Sequence, residues 1–173
     1  MINEKMEVIQ IDIEKEISGD LYCKVLDFAV GRFPLFLFAV DWKFRFSDNE
    51  HIRKIVEELT PFLVKRFHSN KWPGTEILMG QIEVFHYNLT NESTSILKKY
   101  ASSFYQWDQW EASDLPKDLC IMRNAEQPWL CNIAHEKIVQ IFVTLEEKLD
   151  LLNSIPELTD YFGEEGKPIA YYV

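Results

Sequence analysis

Six glycines in 173 residues leave little material for a phosphate-cradling loop, and the patterns G-x-x-x-x-G-K-S/T, G-x-G-x-x-G and G-x-S-x-G are all absent. Nucleotide hydrolysis, dinucleotide redox chemistry and a serine nucleophile elbow are therefore not expected, and no cofactor is expected either. The three cysteines, Cys23, Cys120 and Cys131, cannot all pair, and none forms a C-x-x-C or a Cys/His cluster of zinc spacing. Reduced, mostly buried thiols are the expectation, with neither a disulfide framework nor a metal. Long apolar runs are missing as well. The longest, FPLFLFAV at 33–40, falls well short of the roughly 20 residues that cross a bilayer and is followed by Asp41, Lys43 and Arg45, so it reads as a buried strand. The opening residues MINEKMEVIQIDIEKE carry charges where a secretory signal needs an apolar stretch, which suggests a cytoplasmic protein with no membrane partner.

Basic residues are scarce in the second part of the chain. Residues 104–173 hold 13 acidic and 5 basic side chains, against 15 and 13 in residues 1–103, and the whole chain carries a net charge of −10. A phosphate-binding face needs clustered Lys and Arg, so nucleic acid is not an expected partner, whereas a basic protein is.

What is present is the material of one folded domain, 1–173, with 47% hydrophobic and 27% charged residues. EVIQIDI at 7–13 alternates as a strand does, and Leu21, Val25 and Phe28 fall on one helical stripe that ends near Gly31. The stretch 33–46 predicts a central strand whose far end, with Trp42, Phe44 and Phe46 alternating against Asp41, Lys43 and Arg45, emerges into solvent on one face. Ser47 and Glu50 stand at capping-box spacing before a helical repeat that reaches Leu63 and Phe67, interrupted at Pro61. SNKWPGTE reads as a loop, 76–89 as one or two strands, and NESTSILKKYASSF as a helix. LCIMR and PWLCNIAH predict a hairpin and KIVQIFV a third strand. Thr144 and Glu147 open a last helix along Leu145, Leu149 and Leu152. The order of elements predicts an α+β fold. Its mixed or mainly antiparallel sheet carries three to five helices, with a C-terminal β-hairpin region followed by a helix.

Two stretches hold candidate chemistry. His135-Glu136 could open H-E-x-x-H, but the second histidine position is Val139, so a zincin is excluded and a hydrogen-bonded pair at a strand turn is the better reading. His135, Glu136 and Asp118 stay as acid/base candidates should the protein be an enzyme, a class from which the missing motifs point away. YQWDQWEASD at 105–114 places Trp107 and Trp110 three apart among Asp108, Glu111 and Asp114. As a helical turn this would be an acidic, aromatic recognition face, with indoles as anchors and carboxylates selecting a cationic partner. The alternative is a segment that tucks its indoles into the core.

DLPKDLCIMR and PWLCNIAHE, taken together, resemble a loosely defined group of small uncharacterised bacterial proteins with a Leu-Pro-x-Asp-Leu step, a Pro-Trp strand and then His-Glu. The resemblance spans residues 114–136 and implies a shared element of fold, not a reaction. The expected function is a non-enzymatic protein-binding role, such as the immunity partner of a bacterial toxin, engaging a basic protein through the 105–114 face. The alternatives are an enzyme without a short motif and a small-ligand binder with an aromatic-lined pocket, for which 12 Phe, 7 Tyr and 5 Trp supply the walls.

Overall fold

The computed structural model describes residues 5–46, 48–110 and 114–172. In chain order the elements are β1 (Lys5–Ile13), α1 (Asp20–Ala29), β2 (Leu35–Val40), α2 (Asn49–Leu59), β3 (Leu63–Ser69), β4 (Lys71–Trp72), β5 (Thr75–Glu76), β6 (Ile82–Asn88) and α3 (Asn91–Tyr100). They continue with β7 (Lys117–Met122), β8 (Pro128–Ile133), β9 (Ile138–Val143), α4 (Leu145–Ser154), β10 (Phe162–Glu165) and β11 (Ile169–Tyr172). Short 3-10 turns join several of them. The fold is α+β, as the order of elements predicts.

Nine strands form one sheet in the order β10-β1-β9-β8-β7-β2-β6-β3, with β11 also on β1, and β4 and β5 form a separate two-stranded ribbon. All the pairings described are antiparallel. The apolar run of β2 earns a central place between β6 and β7, where both faces are covered.

Apolar side chains alternate to opposite faces of the sheet and meet different neighbours. On one face Phe36, Phe38, Phe85, Tyr87, Ile121 and Val139 join the buried sides of all four α-helices, including Val25, Ile55, Leu97 and Leu151. Aromatic rings dominate this core. Trp129 is fully buried and stacks 4.6 Å from Phe33 and 5.9 Å from Phe28, while Phe38 lies 6.1 Å from Trp107. On the other face Leu37, Val84, Cys120, Met122 and Cys131 form a smaller cluster, to which no helix contributes a residue among those described. All the helices thus lie on one side of the sheet.

Local structure departs from the sequence pattern at three places. The alternation past Val40 is not strand: residues 41–46 form turns, with Asp41 Oδ1 accepting from the Lys43 amide at 3.0 Å and the Trp42 indole donating to Glu83 at 2.7 Å. The second helix is capped by Asp48, whose side chain accepts from the His51 amide, and it ends at Leu59 because Pro61 cannot extend the ladder. Residues 63–69, which continue the helical period in sequence, are instead the edge strand β3, paired with β6 with one register shift at Val64. Along α4, Leu145 and Leu149 are exposed, and Leu151, followed by Ile155 and Leu158, carries the burial. The capping box is as the spacing predicts: Thr144 accepts from the Glu147 amide and Glu147 accepts from the Thr144 amide. Glu147 also pairs with the guanidinium of Arg123, tying the β7–β8 turn to the start of α4.

Candidate functional site

The helix-free face of the sheet carries a groove of about 730 Å3. Antiparallel register builds its floor. Lys65 on β3 lies opposite His86 on β6, His86 opposite Leu37 on β2, and Leu37 opposite Cys120 on β7. One strand further, Cys131 on β8 lies opposite Gln140 on β9. Leu37, Val84, Met122 and Phe142 supply most of the remaining floor, and Phe67 stands beside His86 with ring centroids 5.4 Å apart. The lining therefore draws on six adjacent strands, a span of about 24 Å at ~4.8 Å per strand.

The walls come from two loops. One is the β4–β5 ribbon with its Pro73-Gly74 turn, and the other is the β7–β8 turn with Ala125, Glu126 and Pro128. The ribbon is fastened to the sheet through Asp118. Its carboxylate accepts from the Trp72 indole at 2.8 Å, from the Thr75 hydroxyl at 3.2 Å and, on the other oxygen, from the Ala134 amide at 2.9 Å. Gly74 presses directly on β8: at φ +77 it holds a left-handed turn, and a Cβ there would meet Cys131 Sγ at 2.7 Å and Ile133 Cδ1 at 2.8 Å.

Charge in the groove is sparse and mostly positive. Lys65 and Lys71 line it, as does Glu126. Lys65 Nζ rests 4.5 Å over the Phe67 ring. Burial, and then the nearby Lys65, hold the His86 imidazole below its ordinary value of 6.5, so His86 is uncharged at neutral pH. The thiol of Cys120 is pushed well up by burial and by Cys131, which keeps it protonated and a poor nucleophile.

The candidate residues read from sequence lie elsewhere and do not form one surface. Trp107 is fully buried, stacked on Phe38 and donating from its indole to the Tyr22 hydroxyl at 3.0 Å. Asp108 is also interior, one of its oxygens accepting from the Trp110 amide at 2.9 Å. The 3-10 turn Phe104–Gln106 ends before Trp107, so the two indoles are not on one helical side: Trp107 turns inward and Trp110 outward. This corrects the expectation of a face bearing both. Asp114 is half-buried and accepts from the Asp48 amide at 3.0 Å, and Glu111 lies outside the described residues.

Trp110, 47% exposed, is the member of that segment that reaches solvent as a large ring. It is held between two cationic or polar neighbours: Lys117 Nζ sits 3.5 Å from its centroid and the His135 ring 4.9 Å. Lys117 is itself buried, and burial draws its ammonium below the ordinary range against the pull of Asp118, Asp108 and Asp41. Burial likewise raises the Asp118 carboxyl, opposed by the Trp72 and Ala134 hydrogen bonds and by Lys117.

The acid/base candidates are poorly arranged for proton transfer. His135 and Glu136 occupy the 3-10 turn between β8 and β9, with Nε2 3.7 Å from Oε1. Asp118 has both oxygens engaged by three donors and is 1% exposed, which fits a pin rather than a base. Among the described residues no group of three His, Cys, Asp or Glu side chains is placed to hold a metal, and no helix is long and apolar enough to cross a membrane. Comparison of the chain with protein-family models, with curated proteins and with solved structures finds no match.

Proposed function

We propose that the protein is a non-enzymatic binder of a small ligand, and that the groove on the helix-free face of the sheet is its site. The observation that supports this reading is the groove itself. A volume of about 730 Å3 falls within the roughly 300–1,000 Å3 of ligand pockets, its floor is apolar and aromatic, and its polar groups are few and fixed by strand register. The sheet residues that floor it are also stiffened from behind by the main core, so the shape exists before any guest arrives. The test is a titration with apolar fragments followed by amide shifts. Changes should gather on β2, β6, β7 and β8, and Val84→Trp, which fills the floor, should abolish them. Shifts confined to the α-helices would refute the reading.

A second reading, a protein-binding role such as that of a toxin's immunity partner, is supported by a different patch. Phe46 is 73% exposed, its ring 5.8 Å from Phe44, and Phe44 is 6.5 Å from Trp110. Three rings at the surface of a chain with net charge −10 would suit a basic partner steered in by charge and anchored by aromatics. Phe46→Ala and Trp110→Ala should then speed dissociation from that partner without altering fragment binding in the groove.

A further inference from the structure

Resting on the groove as the working surface, the arrangement of its charges points further, to a ligand class. We propose that the groove takes an alkyl carboxylate, its apolar chain laid across the strands and its head group held at the β3 end by Lys65 and Lys71.

Four observations converge on this assignment. The floor offers an apolar track, because the register row Lys65, His86, Leu37 and Cys120 is charged only at its first position and His86 is neutral at ordinary pH. The lining crosses six adjacent strands, a length that suits an extended chain. The cations at its end lack a carboxylate partner, although Lys65 rests over the Phe67 ring. Lys24, Lys98, Lys99 and Lys148 are each paired with a carboxylate, whereas neither Lys65 nor Lys71 has one within ion-pair distance among the described residues. Acids are also sparse in the sequence around them: residues 59–75 contain Lys65, Arg66 and Lys71 and no Asp or Glu, in a chain that carries ten more acids than bases, and Glu76, opposite Lys71 across the ribbon, is not ion-paired with it. Arg66 is occupied by Glu83 at 3.6 Å on the opposite face, which leaves the two lysines for the groove. Glu126, the carboxylate in the lining, stands on the β7–β8 turn, separated from β3 by β2 and β6, and so keeps an anionic head away from that end.

The physical division of labour follows. Chain methylenes leaving water provide most of the affinity, and the ammonium groups at the mouth select the charge of the head and set the direction in which the chain lies. Both lysines are exposed, so their heads stay hydrated until a carboxylate arrives and their replacement leaves the fold intact.

The experiment uses the neutral solvatochromic dye Nile red as probe, displaced by octanoate, decanoate and dodecanoate below their micelle concentrations and by the matching alcohols. Affinity should rise about fourfold per added methylene, the equivalent of about 0.8 kcal/mol. Each carboxylate should bind at least about tenfold tighter than its alcohol, as a charge-assisted contact predicts. The double variant Lys65→Gln/Lys71→Gln should erase that preference and leave alcohol binding unchanged. If alcohols and carboxylates bind wild type equally, or the double variant keeps the preference, the ligand class is wrong although the groove still binds. If Nile red is not taken up, or is taken up equally by Val84→Trp and by the rim variant Ser69→Trp, then the groove is not the working surface and both readings fall.

Discussion

Replacing Asp118 with Ala tests whether this residue is a structural pin. The carboxylate receives three donors, two of which, the Trp72 indole and the Ala134 amide, are in buried hydrogen bonds. Truncation leaves those donors without an acceptor, at about 1–3 kcal/mol each, and places an Ala in the left-handed region at φ 58, where Asp is better tolerated. Relief from burying a carboxyl whose ionisation is already disfavoured offsets part of this. The net expectation is a loss of about 3–5 kcal/mol, or a fall of roughly 10 °C in Tm for a chain of this size, measured by urea and thermal unfolding. Asp118→Gly supplies an internal control: it loses the same acceptor but not the backbone preference, so it should be more stable than Asp118→Ala by about 1 kcal/mol. The indole N–H of Trp72 should exchange with solvent faster in both variants, because the ribbon is no longer fastened. An Asp118→Ala protein within 1 kcal/mol of wild type, or one that outlasts Asp118→Gly, would refute the assignment.

Other substitutions separate the roles further. Trp107→Ala should cost about 3–5 kcal/mol by opening the core, whereas Trp110→Ala should change unfolding free energy by less than about 1 kcal/mol; equal effects in urea melts would contradict the placement of the two indoles. Gly74→Ala should cost about 2–3 kcal/mol, because its Cβ collides with Cys131 and Ile133 in a turn that already needs positive φ, and calorimetry reads this directly. His86 gives a pH signature. Its proton affinity is lowered by burial and Lys65, so the unfolded chain takes up a proton that the folded protein refuses. Its contribution to stability is full above pH 6.5 and is lost as pH falls through the window beneath, a slope that His86→Phe should flatten in melts between about pH 5 and 7.

Where sequence pattern and fold agree, the cause is local. Thr144 and Glu147 cap α4 through atoms three residues apart, and β1 alternates over its second half because Ile9, Ile11 and Ile13 face the main core while Gln10 and Asp12 do not. Where they part, distant residues decide. Leu63 and Phe67 continue the helical period of α2, but Pro61 breaks the ladder and β6 offers six residues of pairing, so the segment becomes a strand. Trp107 and Trp110 have the spacing of one helical side, but stacking on Phe38 and a hydrogen bond to Tyr22 hold the first ring inside. The groove was illegible for the same reason. Its lining takes one to three residues from each of six strands, and no motif joins them. A histidine inside the apolar β6 run and a glycine after Pro73 were the local traces of it.

The position of β1 has a consequence for how the chain reaches this state. β1 is flanked by β9 and by the last two strands, so that Ile9 faces Val143 and Val8 faces Ile169. A ribosome adding about 5–20 residues per second delivers that first partner roughly 7–27 s after β1 itself. During this interval the newborn strand has no neighbour in the sheet, while β2, β3 and β6 already have one another. Docking of β1 is thus a late step dominated by distant contacts, and the emerging chain carries an unpaired apolar strand that a chaperone would find first.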